Sequence, residues 1–470
     1  MKTKKLSLVA LFATFFAFAQ TPCDNGYAAG FPCDGYDLQS HISLGQMSAS
    51  GGNDSWGWTD PQDGKEYALV GLDNGTAFID ISDPINPVYL GKLPTQTSSS
   101  IWRDIKVYEN YAFIVSEAGG HGMQVFDLTK LRNVVNPPVT FTTDGLYTAI
   151  GGVHNIVINE DTGFAYSVGG NSYNGGPHFI DISNPTNPVA AGGYSGGGYS
   201  HDAQVVIYDG PDTDHTGKEI YFGSHASHVV ILDVTDKNNP QLIKSFQYPS
   251  TGYTHQNWLT EDYKYMLLGD EGDEFDFGFN TRTVVFDLTD LDNPLLHYEY
   301  YGPNSSVDHN GYVLGDKFYL ANYSSGLRVV DISDIDNENM NEIGYFDSYP
   351  PNNNANYSGS WNVYPFFESG NIVISGEGGF TLAISQQLGI NDVDPNVAFS
   401  IYPNPANNKM TISSTNNPLT KVEVYNVLGQ RVLDFNFSET TSKEINISSL
   451  KSGLYLVKIN NLTTKRLIIK

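Results

Sequence analysis

The chain has 470 residues, 16% of them charged and 13% aromatic, with 47 glycines and a formal net charge of −27. That composition excludes a disordered chain, and the length allows one large packed unit beside one small one. An acidic excess without Lys or Arg clusters excludes nucleic acid and anionic surfaces as partners, because both need clustered cations.

In chain order, residues 1–19 carry Lys2, Lys4 and Lys5, an apolar run and an Ala-Phe-Ala end. This is the pattern of a secretory signal peptide cut after Ala19. The run is short for a membrane span and no later stretch is apolar for long enough, so no transmembrane segment is expected in the mature protein. Residues 20–37 hold the only two cysteines, Cys23 and Cys33, and export makes a disulfide between them the expectation. Thr21 and Pro22 ahead of Cys23 argue against lipid attachment there.

Over 38–386 one phrase repeats seven times: an apolar strand, a Gly/Asn/Glu loop, a second strand ending near Asp-Ile-Ser, and an Asn-Pro turn. The closing aspartates are Asp80, Asp127, Asp181, Asp233, Asp287 and Asp331, with Ala383 in the seventh copy, at spacings of 44 to 54 residues. That period suits a four-stranded blade and not a helical repeat. The prediction is an all-β fold, a seven-bladed β-propeller. Its seventh copy stops at Ser385 without a fourth strand, and the apolar-Gly-apolar cadence over 38–47 supplies one. Closure of the ring by this N-terminal strand would remove an exposed strand edge. The repeated aspartates are assigned to the backbone of the tight turns that follow them.

Aligned on their first strands, the copies give a column of Trp56, Arg103, His154, His201, His255, His309 and Trp361. The next column is Gly57, Asp104, Asn155, Asp202, Gln256, Asn310 and Asn362, and loops on the same face add Glu117, Glu271, Tyr323 and Glu377. If first strands line a channel, these residues rim one mouth. Three readings stay open. The columns hold neighbouring blades together by hydrogen bonds; or the mouth binds an extracellular glycan, peptide or protein; or histidines there make a metal-dependent secreted hydrolase or oxidase. Adjacent blades are expected to splay, so four histidines should not share one tetrahedral metal. Two or three of His201, His255 and His309 with Asp202 or Glu271 would serve.

The acidic loops over 209–219 and 269–276 are oxygen-rich enough for Ca²⁺ but lack calcium-loop spacing, so solvated loops are the simpler reading. The cofactor is thus open between none, Ca²⁺ and a transition metal. No nucleophile elbow, phosphate loop or His-Glu-x-x-His helix occurs.

After a polar linker over 387–398, charge changes sign. Residues 20–398 hold 13 Lys and Arg against 48 Asp and Glu, and residues 399–470 hold nine against four. The tail reads as short alternating strands of a small β-sandwich. Its Tyr402, Pro403, Asn404, Pro405 and Ala406, then Tyr425, Asn426, Gly429 and Gln430, then Gly453, Tyr455 and Lys458 closely resemble the C-terminal sorting domain of type IX secretion cargo in Bacteroidetes. The resemblance implies recognition by the type IX machinery, transport across the outer membrane, and a surface or released body. In the body, "LRVVDIS" and "DHNGYV" resemble the LVIVD-repeat, choice-of-anchor B family of exported bacterial proteins. That family implies a propeller and no assigned reaction. A monomer is expected.

Overall fold

Runs rich in Val, Ile, Tyr and Phe, cut by Gly, Asn-Pro and Asp-Pro, form strands throughout the computed structural model, and its α-helix, Asp273–Asp276, is a single turn. The structure describes residues 20–386 and 399–469, apart from 403–405, 407, 415–417, 427–430, 452 and 461–462. The signal peptide over 1–19, the linker over 387–398, and Pro403, Asn404, Pro405 and Gly429 lie outside the described residues. The chain divides into two compact units at Ser385 and Gln386.

Among the described residues the first unit holds seven sheets, each with a core of four antiparallel strands. Their first strands are Gly52–Thr59, Arg103–Tyr108, Asn155–Asn159, Asp202–Ile207, Thr254–Leu259, Asp308–Leu314 and Ser360–Tyr364. Each packs beside the first strand of the next sheet, and Ser360–Tyr364 packs beside Gly52–Thr59. Apolar clusters fill the spaces between successive sheets. Leu69, Phe78, Ile114 and Phe126 meet between the first and second, and Phe222, Ile231, Leu268 and Phe286 between the fourth and fifth. The fold is all-β, as the repeat predicts.

The six aspartates sit where the turn reading puts them. Asp80, Asp127, Asp181, Asp233, Asp287 and Asp331 each accept a hydrogen bond from the amide two residues on, at 2.8 to 3.1 Å. Ala383 makes no such turn, because its sheet takes its fourth strand from the other end of the unit. That strand is Tyr36–Ile42, paired antiparallel with Gly379–Ser385. It begins and ends earlier than the 38–47 expected from sequence: residues 44–48 form a turn in which the Met47 amide bonds the Ser43 and Leu44 carbonyls.

The segment before it does more than close a loop. Cys23 and Cys33 form the disulfide, with Cα atoms 5.9 Å apart. Phe31–Asp34 pairs with the outer strand of the sixth sheet, Asn339–Phe346. One short stretch of chain thus ties the sixth and seventh sheets together.

In the second unit one sheet contains Phe399–Tyr402, Lys409–Ser414 and Ser442–Asn446. The other contains Arg431–Thr440, Leu419–Asn426, Gly453–Ile459 and Thr463–Ile469. They bury a shared core of Met410, Ile412, Val422, Val424 and Val457.

Candidate functional site

A polar residue can occupy the start of a buried first strand only if neighbours or a ligand satisfy it. Four of the seven starts carry histidine, and the structure stacks them in an arc. Ring centroids lie 4.1 Å apart for His154 and His201, 4.2 Å for His201 and His255, and 4.3 Å for His255 and His309. Trp361 continues the arc at 4.8 Å from His309. The expected splay between neighbouring strands is not seen at this level.

The arc is buried yet poorly paired. His255 is 1% exposed, and among the described residues neither of its ring nitrogens has a hydrogen-bond partner; Nδ1 of His201 has none either. His309 donates through Nδ1 to the Trp361 carbonyl at 2.5 Å. A carbonyl only accepts, so Nε2 of His309 keeps its lone pair and faces Glu271 at 3.9 Å. Glu271 stands 3.8 Å from Nε2 of His255 and accepts from the Tyr323 hydroxyl at 2.8 Å. Separations of 3.8 to 3.9 Å are too long for hydrogen bonds. They fit two ligand atoms on one ion, each about 2.0 to 2.2 Å from it. His201, His255 and Glu271 each offer a ligand atom within 4.8 Å of the others.

Burial sets the charge state of the arc. It pushes His201 and His255 well below the usual imidazole range and His309 down to about 3, so all three rings are neutral with a free lone pair. Burial lifts Glu271 to about 7. At the end of the arc, Nδ1 of His154 meets the Glu117 carboxylate at 2.6 Å.

Three tyrosines that the column alignment passed over complete this end. Tyr253 lies 5.3 Å from the His201 ring, and burial raises the phenols of Tyr253 and its hydrogen-bonded neighbour Tyr199. Tyr357 packs 5.6 Å from Tyr323. They sit in loops ahead of the first strands, where the repeat carries no fixed spacing.

The remaining sequence candidates lie elsewhere. Trp56 stands away from the histidines, farther along its strand, packed against Tyr364 at 5.2 Å and Tyr312 at 6.0 Å. In the first copy Asn53 and Asp54 take the places assigned to Trp56 and Gly57, standing ahead of Ser55 as His255 and Gln256 stand ahead of Asn257. The aspartate bonds show the match: Asp54 accepts from the Ile105 amide as Asp104 accepts from Ile156. Arg103 is buried and turned outward to Leu72, Thr95 and His121.

Most of the second column links neighbouring sheets. Asn155 donates to the His201 carbonyl, Gln256 exchanges two bonds with Gly311, and Asn362 donates to Ser55. Asn310 is buried with its side-chain oxygen unpaired. Asp202 acts on Lys106 and not on the imidazoles. Lys106 meets Asp104 at 2.6 Å and Asp54 at 3.6 Å, and these carboxylates hold it charged against its burial. Glu377 is exposed in the tight loop before Gly379–Ser385.

Comparison with known proteins adds family and address. Residues 400–470 match the secretion system C-terminal sorting domain, and residues 65–95, 102–120 and 174–195 match the LVIVD repeat. The chain carries LVIVD repeats and a type IX sorting domain. The sorting domain marks the LVIVD-repeat protein for export by the type IX system to the cell surface or the extracellular space. Among the described residues no helix is long and apolar enough to cross a membrane.

No curated protein matches the chain. Among solved structures it is similar to PorZ, an essential bacterial surface component of the type IX secretion system of Porphyromonas gingivalis, at 12% identity and a TM-score of 0.44. The match covers 87% of this chain and 58% of the PorZ chain. It is also similar to Saccharomyces cerevisiae Sqt1, at 7% identity and a TM-score of 0.49, over 74% of this chain and 98% of that one.

Proposed function

We propose that the exported body of this LVIVD-repeat protein, residues 38–386, is a seven-bladed propeller closed by its N-terminal strand, and that its histidine-lined mouth binds a divalent transition-metal ion. The circuit of contacts between first strands and the pairing of Tyr36–Ile42 with Gly379–Ser385 support the ring. Residues 1–19 are its signal peptide, 387–398 the linker, and 399–470 the sorting domain.

One observation carries the metal: His255 is buried with both ring nitrogens unpaired, beside His201 and the Glu271 carboxylate. Leaving such groups unsatisfied costs about 1 to 3 kcal/mol each, and an ion removes that penalty. Neutral imidazoles with one carboxylate suit zinc, copper or iron better than Ca²⁺, which takes oxygen ligands. His309, fixed by the Trp361 carbonyl, has the orientation of a further ligand. The His154 and Glu117 pair lies next in the arc, where it would supply a base beside the ion.

The test is metal analysis of protein purified without a histidine tag, before and after the His255→Ala, His309→Ala double substitution. About one equivalent in the parent and none in the double variant is expected. A metal-free parent whose melting is unchanged by added zinc or copper, or by chelator, sinks the reading.

A further inference from the structure

The far ends of the same first strands surround a cavity of about 320 Å³. Its apolar lining combines the rings of Trp56, Trp258, Tyr364 and Phe366 with valine and isoleucine side chains. Trp56 and Trp258 each lie 6.2 Å from Phe366, and Tyr364 lies 5.3 Å from it, so the rings form one continuous surface with Tyr312 behind them. All four wall residues are half-buried, with part of each ring open to the cavity.

Polar groups stand among the rings. Gln204 uses its carbonyl oxygen on the Leu259 amide at 2.8 Å, and its NH₂ group has no partner among the described residues. Glu160 is exposed at the rim, and among the described residues no side chain or amide bonds its carboxylate. The Lys106 ammonium lies 4.6 Å over the Trp56 ring, held by Asp104.

We infer that this cavity is a saccharide-binding site for a neutral or N-acetylated pyranose. A pyranose ring presents apolar C–H faces and a rim of hydroxyls, which together match aromatic walls with free donors and acceptors at their edges. An apolar ligand would use the rings and leave Gln204 and Glu160 without partners. A cation would meet Lys106 already seated over Trp56. An acidic sugar would face Glu160 and a body with 48 acidic residues. The volume, at the low end for ligand pockets, fits one or two sugar units. This site shares no side chain with the histidine arc, so it stands or falls apart from the metal.

Tryptophan fluorescence of the full chain reports directly, since Trp56 and Trp258 form two walls. Titrations with glucose, galactose, N-acetylglucosamine and cellobiose, with glucuronate as the acidic probe, are expected to give a saturable change at millimolar concentration for at least one neutral sugar and none for glucuronate. Trp258→Ala should weaken that sugar at least about tenfold. Glu160→Ala, an exposed substitution that leaves folding untouched, should weaken it measurably as well. The His255→Ala, His309→Ala variant should respond as the parent does. No saturable change with any of the four neutral sugars, or an unchanged affinity in both Trp258→Ala and Glu160→Ala, overturns the proposal.

Discussion

The two ends of the seven first strands are built from opposite chemistry. At the starting end, imidazoles are buried, and His255 among them has no hydrogen-bond partner among the described residues and faces a carboxylate across a gap. At the far end, indoles and phenyl rings are half open, beside the Gln204 amide and the Glu160 carboxylate. Between the ends lies a charged layer, Lys106 with Asp54, Asp104 and Asp202. The difference teaches that one repeat can hold two unrelated sites when each strand assigns its first and last residues separately. The repeat fixes the backbone and leaves the side chains at the two ends of each first strand to vary.

The largest effect is expected from that middle layer, because both ends hang from it. Lys106→Met leaves the buried Asp54 and Asp104 without their cation, and removing one partner of a buried pair costs roughly 3 to 5 kcal/mol. Denaturant unfolding should show that loss, with both the metal content and the sugar response reduced. Loss at one end with full stability would mean that the layer belongs to that site alone.

A smaller effect, one-sided this time, follows from pH. The folded pKa of His309 is about 3 and those of His201 and His255 are also depressed, so between the ordinary imidazole value and that range the unfolded chain binds more protons than the folded one. Stability of the metal-free protein should therefore fall as pH drops below about 6.5. Glu271 works the other way. Its folded pKa of about 7 lies above the unfolded value of 4.5, so its protonation favours the fold as pH falls through that window. Glu271→Gln should make the acid loss steeper between pH 7 and 4.5, read from melting curves of chelated protein. An unchanged slope would remove the arc's electrostatics from the comparison. The aromatic cavity contains no histidine, but burial raises its Glu160 above the ordinary carboxylate value, so its sugar response should hold near pH 7 and change only where Glu160 takes up a proton.

How far the sequence could be read differs between the ends in the same way. Asp-Ile-Ser spacing sets turn geometry, which is local, so sheet number, turn bonds and the origin of the seventh sheet's outer strand were all legible. His154, His201, His255 and His309 were aligned correctly because the same residue type marks each strand start, whether or not a bulge lies beside it. Trp56 was misplaced because the first copy has no histidine to mark its strand start, and that displaced residue is a wall of the second site. Trp258, Tyr364 and Phe366 drew no attention, since an aromatic residue late in a strand looks like any core residue until its neighbours are known. Tyr199 and Tyr253 stand in loops of unequal length. Positions fixed by backbone period were readable, and positions fixed by contacts between copies were not.

The smallest effect belongs to neither end and serves as the control for both. Asp181 accepts from the amide of Ser183 at 2.9 Å and from its hydroxyl at 2.6 Å, on an exposed turn. Asp181→Ala removes these bonds but leaves their donors open to water, so about 1 kcal/mol is expected and no more. The chain contains the same substitution already: Ala383 stands at this position of the repeat, in the sheet where the outer strand arrives from residues 36–42 and no turn has to be made. If turn formation is the whole role of the aspartate, Asp181→Ala should unfold at slightly lower denaturant with unchanged metal content and unchanged sugar affinity. A loss at either end out of proportion to the stability change would show that the turns transmit to the sites, and the separation of scaffold from site along each strand would have to be given up.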